Sequence, residues 1–186
     1  MQRSHEIKSL KLKDNREVYL RKLITTDAEM LFQYLCLLSA ESRSRFGPHS
    51  FDKDTVNNIC LHPQTDITRY IAISGERIVA YMLIQHGLID ADRKRYADKN
   101  IFFDETTTCT YAPSIADDYQ NSGLGSVMFD SIINDLKAAG DKTVVLWGGV
   151  QATNARAVGF YTKYGFQHMG SFWHDEKDNY DMIKLL

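Results

Sequence analysis

The stretch Gln120-Asn121-Ser122-Gly123-Leu124-Gly125 has the residue types and spacing to hold a phosphate. An apolar-rich segment precedes it and a strong helical pattern follows it. Glycines at such a junction permit a tight turn and let a ligand approach the backbone. The first turn of the following helix presents N–H groups without intrahelical partners and a partial positive charge. Together these features seat a phosphate or pyrophosphate. The same residues also serve as a plain polar turn capping a helix. The stretch matches neither GxGxxG nor GxxxxGK[ST], so neither a dinucleotide fold nor a P-loop is indicated. Metal chemistry has no counterpart in the sequence: His168 and His174 stand six apart, with no paired cysteine and no HExxH. Cys36, Cys60 and Cys109 are widely spaced, lack a CxxC, and read as free thiols in a reducing compartment.

The elements that position these residues belong to a chain of 186 residues, a length that suits one domain, 1–186, with a core of its own. Hydrophobic content of 44% and charged content of 25% are those of a globular protein. The net charge of -2 implies no broad basic surface and argues against a nucleic-acid partner, although Arg43 with Arg45 and Arg93 to Arg95 form local basic patches. No N-terminal run resembles a signal peptide, and no stretch approaches the roughly 18 apolar residues of a membrane span. A cytoplasmic protein without a membrane partner is expected.

Met1 to Asn15 is mixed and charged and reads as a loose end, and Val18 to Leu23 reads as a first strand. Thr26 with Glu29 forms a capping box before a helix that carries Met30, Leu31, Tyr34, Leu35 and Leu38 and ends near Ser39 to Ser42. Asp52 caps a second short helix with Val56, Ile59 and Cys60 on one face. Strands over 69–74 and 77–85 meet at Gly75-Glu76, as an antiparallel hairpin. The charge-dense run Asp90 to Asn100 reads as a solvated loop. Ile101 to Ile115 is rich in β-branched and aromatic residues and reads as a strand that ends or bulges near Pro113.

After Gly123, Leu124, Met128, Ile132 and Leu136 recur every four residues, and Gly140 closes the helix. Lys142 to Val150 predicts a buried strand, Asn154 caps a helix that Gly165 stops, and 166–173 with 180–185 predicts a closing hairpin. The class is α/β, with one mixed, mostly antiparallel central sheet and helices on both faces. The strands before Gly123 and after Gly140 run parallel, joined by a right-handed crossover.

At this point two motifs carry a family likeness. Gln120, Gly123 and Gly125 match the pattern Gln or Arg, two residues, Gly, one residue, Gly or Ala. Asn154, Ala157, Phe160-Tyr161 and Gly165-Phe166 match a second segment at the expected distance. The chain resembles the GCN5-related N-acetyltransferase (GNAT) superfamily, from about Val18 to Leu185. The resemblance implies a GNAT-like fold whose two parallel central strands splay apart around the pantetheine arm of acetyl-CoA. It implies that the backbone of Gln120, Asn121, Ser122, Gly123, Leu124 and Gly125 holds the CoA pyrophosphate, and that Asn154 contacts the arm. It places Tyr161 near the CoA sulfur, where a phenol can protonate the leaving thiolate. Glu105, with Asp104 beside it, is the first choice for the base that takes the amine proton, with His86 and His174 as rivals. Asp117 and Asp118 precede the turn and are expected to point outward or to cap it.

The reaction implied is transfer of an acetyl group from acetyl-CoA to a primary amine by direct attack in a ternary complex, without a metal. The acceptor is an amine-bearing small molecule or a peptide or protein amine, and the protein is a monomer or homodimer. The family reads its acceptor through the first helices and the final strands, here 27–61 and 167–181. Arg43, Arg45, His49 and Trp173 lie in them, but no pattern names a substrate. The alternative is a non-catalytic acyl-CoA-binding or regulatory module that keeps the motif residues and lacks a proton path.

Overall fold

The computed structural model describes residues 7–186. Its elements are β1 (Lys8–Lys11), β2 (Glu17–Lys22), α1 (Ala28–Leu37), α2 (Ala40–Ser44), α3 (Lys53–Leu61), β3 (Ile67–Ser74), β4 (Arg77–His86), α4 (Asp90–Ala97), β5 (Thr108–Ile115), α5 (Leu124–Ala139), β6 (Thr143–Leu146), β7 (Val150–Gln151), α6 (Ala155–Lys163), β8 (Gln167–His174) and β9 (Lys177–Leu185). The chain divides into two compact units, Met1–Leu83 with Pro113–Asn134, and Ile84–Ala112 with Asp135–Leu186. It passes from one to the other within β4, β5 and α5.

In the first unit the strand order is β1-β2-β3-β4. β2 alternates buried Val18 and Leu20 with exposed Glu17 and Tyr19, the period-two pattern of a strand with one face in the core. It pairs antiparallel with β1 from Lys8↔Leu20 to Lys11↔Glu17, and with β3 from Tyr19↔Ile73 to Lys22↔Tyr70. The expected loose end is therefore a strand over Lys8–Lys11, held by pairing that its mixed composition does not announce. Residues 1–6 lie outside the described part.

The expected Thr26–Glu29 box does not form. The backbone N–H of Ile24 donates instead to Asp27 Oδ2 at 2.8 Å, and the Arg21 guanidinium grips both oxygens of Asp27 at 2.6 and 2.7 Å. A buried carboxylate with a bidentate arginine and a backbone donor outcompetes a neutral hydroxyl. α1 ends at Leu37, and the separate helix α2 begins under the Ser39 cap, whose Oγ accepts from the Ser42 N–H. Asp52 caps α3 as expected, accepting from the Thr55 N–H at 2.9 Å. β3 and β4 are joined by Gly75-Glu76, with Gly75 at φ 58°.

In the second unit β5 and β6 run parallel, from Thr108↔Thr143 to Tyr111↔Leu146. The paired register stops there, although β5 continues to Ile115. β6 lies along the last residues of β9 and β7 along its first, both antiparallel. β8 takes the other edge of β9, since Ile183 and Tyr180 each have partners on both sides. The sheet is mixed and mostly antiparallel, with helices flanking it.

The expected strand Lys142 to Val150 is broken between β6 and β7 by Gly148 and Gly149, at φ 62° and 70°. A Cβ on Gly149 would stand 2.6 Å from the Tyr180 carbonyl oxygen, so only glycine fits this turn against β9. The expected long strand from Ile101 also shortens to Thr108–Ile115. The Asp104 carboxylate accepts from the Thr106 N–H and hydroxyl at 3.0 and 2.6 Å, which favours a turn over an extended backbone. Gly140 ends α5 with the Asp141 N–H on the Leu136 carbonyl and φ 95°, the expected glycine stop.

The expected charged loop Asp90 to Asn100 is instead the helix α4. Its inward face is largely ionic: Asp92 is fully buried and pairs with Arg95. Arg95 and Lys99 both reach the fully buried Asp181 on β9, at 2.7 and 2.6 Å. Asp92 also accepts the Gly148 N–H, and burial still pushes its carboxyl above the usual range. Tyr96 on the same helix joins Leu88, Val145 and Ile183 in a buried cluster.

Candidate functional site

In the first unit, β5 ends and a short turn over Asp117–Tyr119 leads into the loop. The Ala116 N–H donates to the Val79 carbonyl at 2.9 Å, which ties this turn to β4. Asn121 and Gly123 both lie in the left-handed region, at φ 63° and 89°. Asparagine tolerates that conformation and glycine adopts it freely. The Gly123 carbonyl accepts from the N–H groups of Ser126 and Val127, so Gly123 caps a 16-residue helix. The backbone N–H groups of Asn121 and Gly123 have no acceptor among the described residues.

Side chains within the loop brace it. Ser122 Oγ donates to the Tyr119 carbonyl at 2.6 Å and accepts from the Leu124 N–H at 3.3 Å. Gln120 Nε2 donates to the Ile115 carbonyl, Ser42 Oγ and Asp117 Oδ1 at 3.2 to 3.3 Å. Gln120 therefore locks the loop onto α2 and the end of β5. Asp117 accepts from the Ser39 N–H, Ser39 Oγ and Ser42 Oγ. Burial pushes its carboxyl up, but these hydrogen bonds outweigh it and hold the group below the usual range. Asp118 pairs with Arg77. Both acids are thus turned to protein partners ahead of the loop.

Two basic residues at this loop carry no sequence signal. The stem of Lys13 runs 3.2 to 3.6 Å from where a Cβ on Gly123 would stand. Arg16 stacks on Tyr119, its guanidinium 3.9 Å from the ring centre. Both come from the β1–β2 connection, some hundred residues away in sequence, where only the strand pairing brings them near.

In the second unit, Asn154 caps α6, its Oδ1 accepting from the Ala157 N–H at 3.3 Å. Tyr161 on the same helix is buried, with ring centres 5.5 Å from Phe160 and 5.1 Å from Phe166. Burial pushes its phenol far above the usual value, so it keeps its proton at neutral pH. Glu105 stands in the loop before β5. It pairs with Arg93 through both oxygens and accepts the Leu88 N–H at 3.2 Å. The Arg93 guanidinium holds the carboxyl below its usual range. Asp104 is likewise lowered, by the Thr106 hydroxyl and N–H. His86 is exposed, and His174 lies 3.5 Å from Asp175.

Among the described residues no group of three or more histidine, cysteine, aspartate or glutamate side chains could hold a metal ion, and no helix is long and apolar enough to cross a membrane.

The profile of the Acetyltransferase (GNAT) family matches residues 33–166. The [ribosomal protein bS18]-alanine N-acetyltransferase of Escherichia coli K12 is 35% identical over 92 residues, which are 50% of this chain and 57% of that protein. The match thus spans little more than half the length of that relative. Among solved structures, the GNAT domain of S. lividans PAT superposes with a TM-score of 0.78 at 17% identity, over 100% of both chains. The ribosomal-protein-S18-alanine N-acetyltransferase of Escherichia coli superposes with a TM-score of 0.62 at 17% identity, over 90% of this chain and 93% of the other.

Proposed function

The chain belongs to the GNAT acetyltransferase family, and on that premise we propose that it transfers the acetyl group of acetyl-CoA to the primary amine of a peptide or protein. The observation that carries the donor half is the Gln120–Gly125 loop. Its two left-handed residues leave the N–H groups of Asn121 and Gly123 without protein acceptors at the start of α5. Oriented N–H groups at a helix N-terminus suit a pyrophosphate. Asn154 contacts the pantetheine arm in this reading. The three cysteines are free, which fits a reducing cytoplasm. The peptide or protein acceptor rests on the kinship with the ribosomal-protein alanine N-acetyltransferase.

The chemistry is addition and elimination at the thioester carbon. The neutral amine forms the C–N bond, the C–S bond breaks, and the CoA thiolate leaves and is protonated. The amine gives up one proton. Positioning two bound reactants supplies much of the rate. Tyr161 keeps its proton and serves as the hydrogen-bond donor to the departing sulfur. Tyr161→Phe is expected to leave acetyl-CoA affinity unchanged in calorimetry and to lower kcat or shift its pH dependence. No change in either kinetic quantity would make Tyr161 a packing residue.

Glu105 takes the amine proton in this reading, and Arg93 sets its pH range. A carboxyl with a lowered pKa is ionised through the neutral range, so its contribution to kcat/KM is lost only as pH falls below ordinary carboxylate values. Glu105→Gln is expected to lower kcat/KM about a hundredfold at neutral pH. A smaller loss than tenfold would remove Glu105 from the proton path.

The Arg93 pairing also favours a second reading, acyl-CoA binding without transfer, because a carboxylate so engaged is a weak base. Calorimetric titration with acetyl-CoA, free CoA and ATP, followed by thiol release over an amine and peptide panel, separates the two. Binding of both CoA species with turnover supports transfer, and binding with no turnover on any amine supports the module.

A further inference from the structure

The first unit holds a cluster of buried polar atoms to which no hydrogen bond of good geometry is made among the described residues: Arg43 Nε, His49 Nε2, Arg69 Nε and the Tyr81 hydroxyl. Aromatic rings bring them together. The His49 ring centre is 5.5 Å from Phe46 and 5.7 Å from Tyr81, and Phe46 and Tyr81 are 5.9 Å apart. The Arg43 guanidinium lies 5.3 Å from the centre of the Phe51 ring. The Arg69 guanidinium lies within hydrogen-bonding reach of the Tyr81 hydroxyl, toward which it acts as donor, and it acts electrostatically on His49.

Arg69 is only 7% exposed and Tyr81 is fully buried. A buried donor without a partner costs about 1–3 kcal/mol, and a buried guanidinium ordinarily pairs with a carboxylate. No carboxylate among the described residues pairs with Arg69. Its Nη2 donates to the neutral Gln64 side chain at 2.7 Å. Arg43 Nη2 donates to the Leu35 carbonyl. Asp52, the acid whose field reaches His49, is engaged by the N–H and hydroxyl of Thr55.

The polarity of the cluster is specific. His49 Nδ1 donates to the Ser50 carbonyl at 2.8 Å, and burial pushes the imidazole pKa down. The ring is therefore neutral, with the lone pair on Nε2. The cluster offers two guanidinium N–H donors, one phenol donor and one nitrogen acceptor. A planar guanidinium matches a carboxylate, and the imidazole lone pair matches an N–H beside it. We propose that this cluster recognises the acceptor by a carboxylate: Arg69 and Tyr81 donate to it, and His49 Nε2 accepts an N–H of the same molecule. The proposal rests on the acetyl-transfer reading and names its substrate class, an amine that also bears a carboxylate. Phe46 and His49 of the segment 46–51 pack against the Tyr81 ring.

The carboxylate belongs either to a free amino acid or to an acidic side chain beside a peptide N-terminus, and one experiment separates these. The full chain is titrated calorimetrically, with and without CoA, using L-alanine against L-alaninamide and Ala-Glu-amide against Ala-Gln-amide. The carboxylate member of one pair is expected to bind at least about tenfold more tightly, and the pair that discriminates identifies the source. Tyr81→Phe and Arg69→Gln are expected to reduce that preference to within about twofold, with CoA affinity unchanged. Tyr81→Phe keeps the ring in place and carries the test should Arg69→Gln fail to fold. No preference in either pair, or a preference that survives both substitutions, would overturn the proposal. Absence of CoA binding with the carboxylate preference intact would instead sink the acetyl-transfer reading and leave the cluster as an anion site.

Discussion

Gly123→Val is expected to weaken acetyl-CoA binding about a hundredfold. Gly123 holds φ 89°, where a β-branched residue is a strained outlier. Its N–H and that of Asn121 are the loop donors without protein acceptors. A valine that relaxes this backbone turns both away from the ligand. Hydrogen bonds to a charged partner are worth about 1.5–3 kcal/mol each, so the loss of two accounts for the stated factor at the low end. Steric exclusion adds to it, since the new side chain rises toward Lys13, whose Cγ would lie 3.2 Å from the Cβ. Gly75→Val is the control. Gly75 also has a positive φ, 58°, but nothing lies within 4 Å of its Cβ position and it belongs to the β3–β4 hairpin. Both variants should lose comparable stability in urea titrations, and only Gly123→Val should lose affinity in calorimetry. Equal affinity in the two would remove the loop from the donor site.

Asp181→Ala is expected to destabilise the protein by about 3 kcal/mol, the low end for breaking a buried ion pair. At roughly 2–4 °C per kcal/mol for a chain of this size, the thermal midpoint should fall by about 10 °C. The carboxylate is fully buried and receives Arg95 through Nε and Nη2 and Lys99 through Nζ. Its removal strands Lys99 and leaves Arg95 with Asp92 as its one carboxylate, while Arg95 stays pinned over the Phe172 ring at 3.8 Å. The low end applies because Arg95 and Lys99 keep side-chain exposures of 16% and 27%, through which water reaches them. Asp90→Asn on the same helix is the contrast. Its side chain is 99% exposed and its pair with Arg93 is a surface one, so the change should stay within about 0.5 kcal/mol. Thermal denaturation of the two variants side by side measures the difference. Similar midpoints would show that α4 is held by its apolar contacts and not by its charges.

Much of the local structure around the candidate donor site is legible because its signals are local. Gly123 requires a left-handed turn, Asn154 caps α6 three residues ahead of its partner, and Leu124, Met128, Ile132 and Leu136 line the buried face of α5. Each depends on residues a few positions apart, where spacing reflects backbone geometry. The parallel pairing of β5 with β6 followed from the helix between them. The α4 helix is hidden in the sequence because Tyr96 is the one apolar residue it buries, beside the ion pair of Asp92 with Arg95, so hydropathy shows no apolar stripe and a run of charges looks like solvated loop. The break between β6 and β7 was hidden because Gly149 is required by the approach of Tyr180, a residue of another strand.

By itself, the sequence determined the family, the α/β class, the glycine turn at Gln120 to Gly125 and the capped helix on which Asn154 and Tyr161 lie. These rest on short-range sterics and on hydrophobic period, which a linear chain displays. Only the tertiary structure decided which charges meet. It pairs Arg95 with Asp181 across 86 residues, turns Asp117 toward Ser39 and Ser42, lays Lys13 beside Gly123, and gathers Arg69, His49 and Tyr81 without a carboxylate. A charge acts on whatever lies nearest in space, whatever its place in the chain, and burial strengthens that action by excluding water. No spacing rule reports such neighbours.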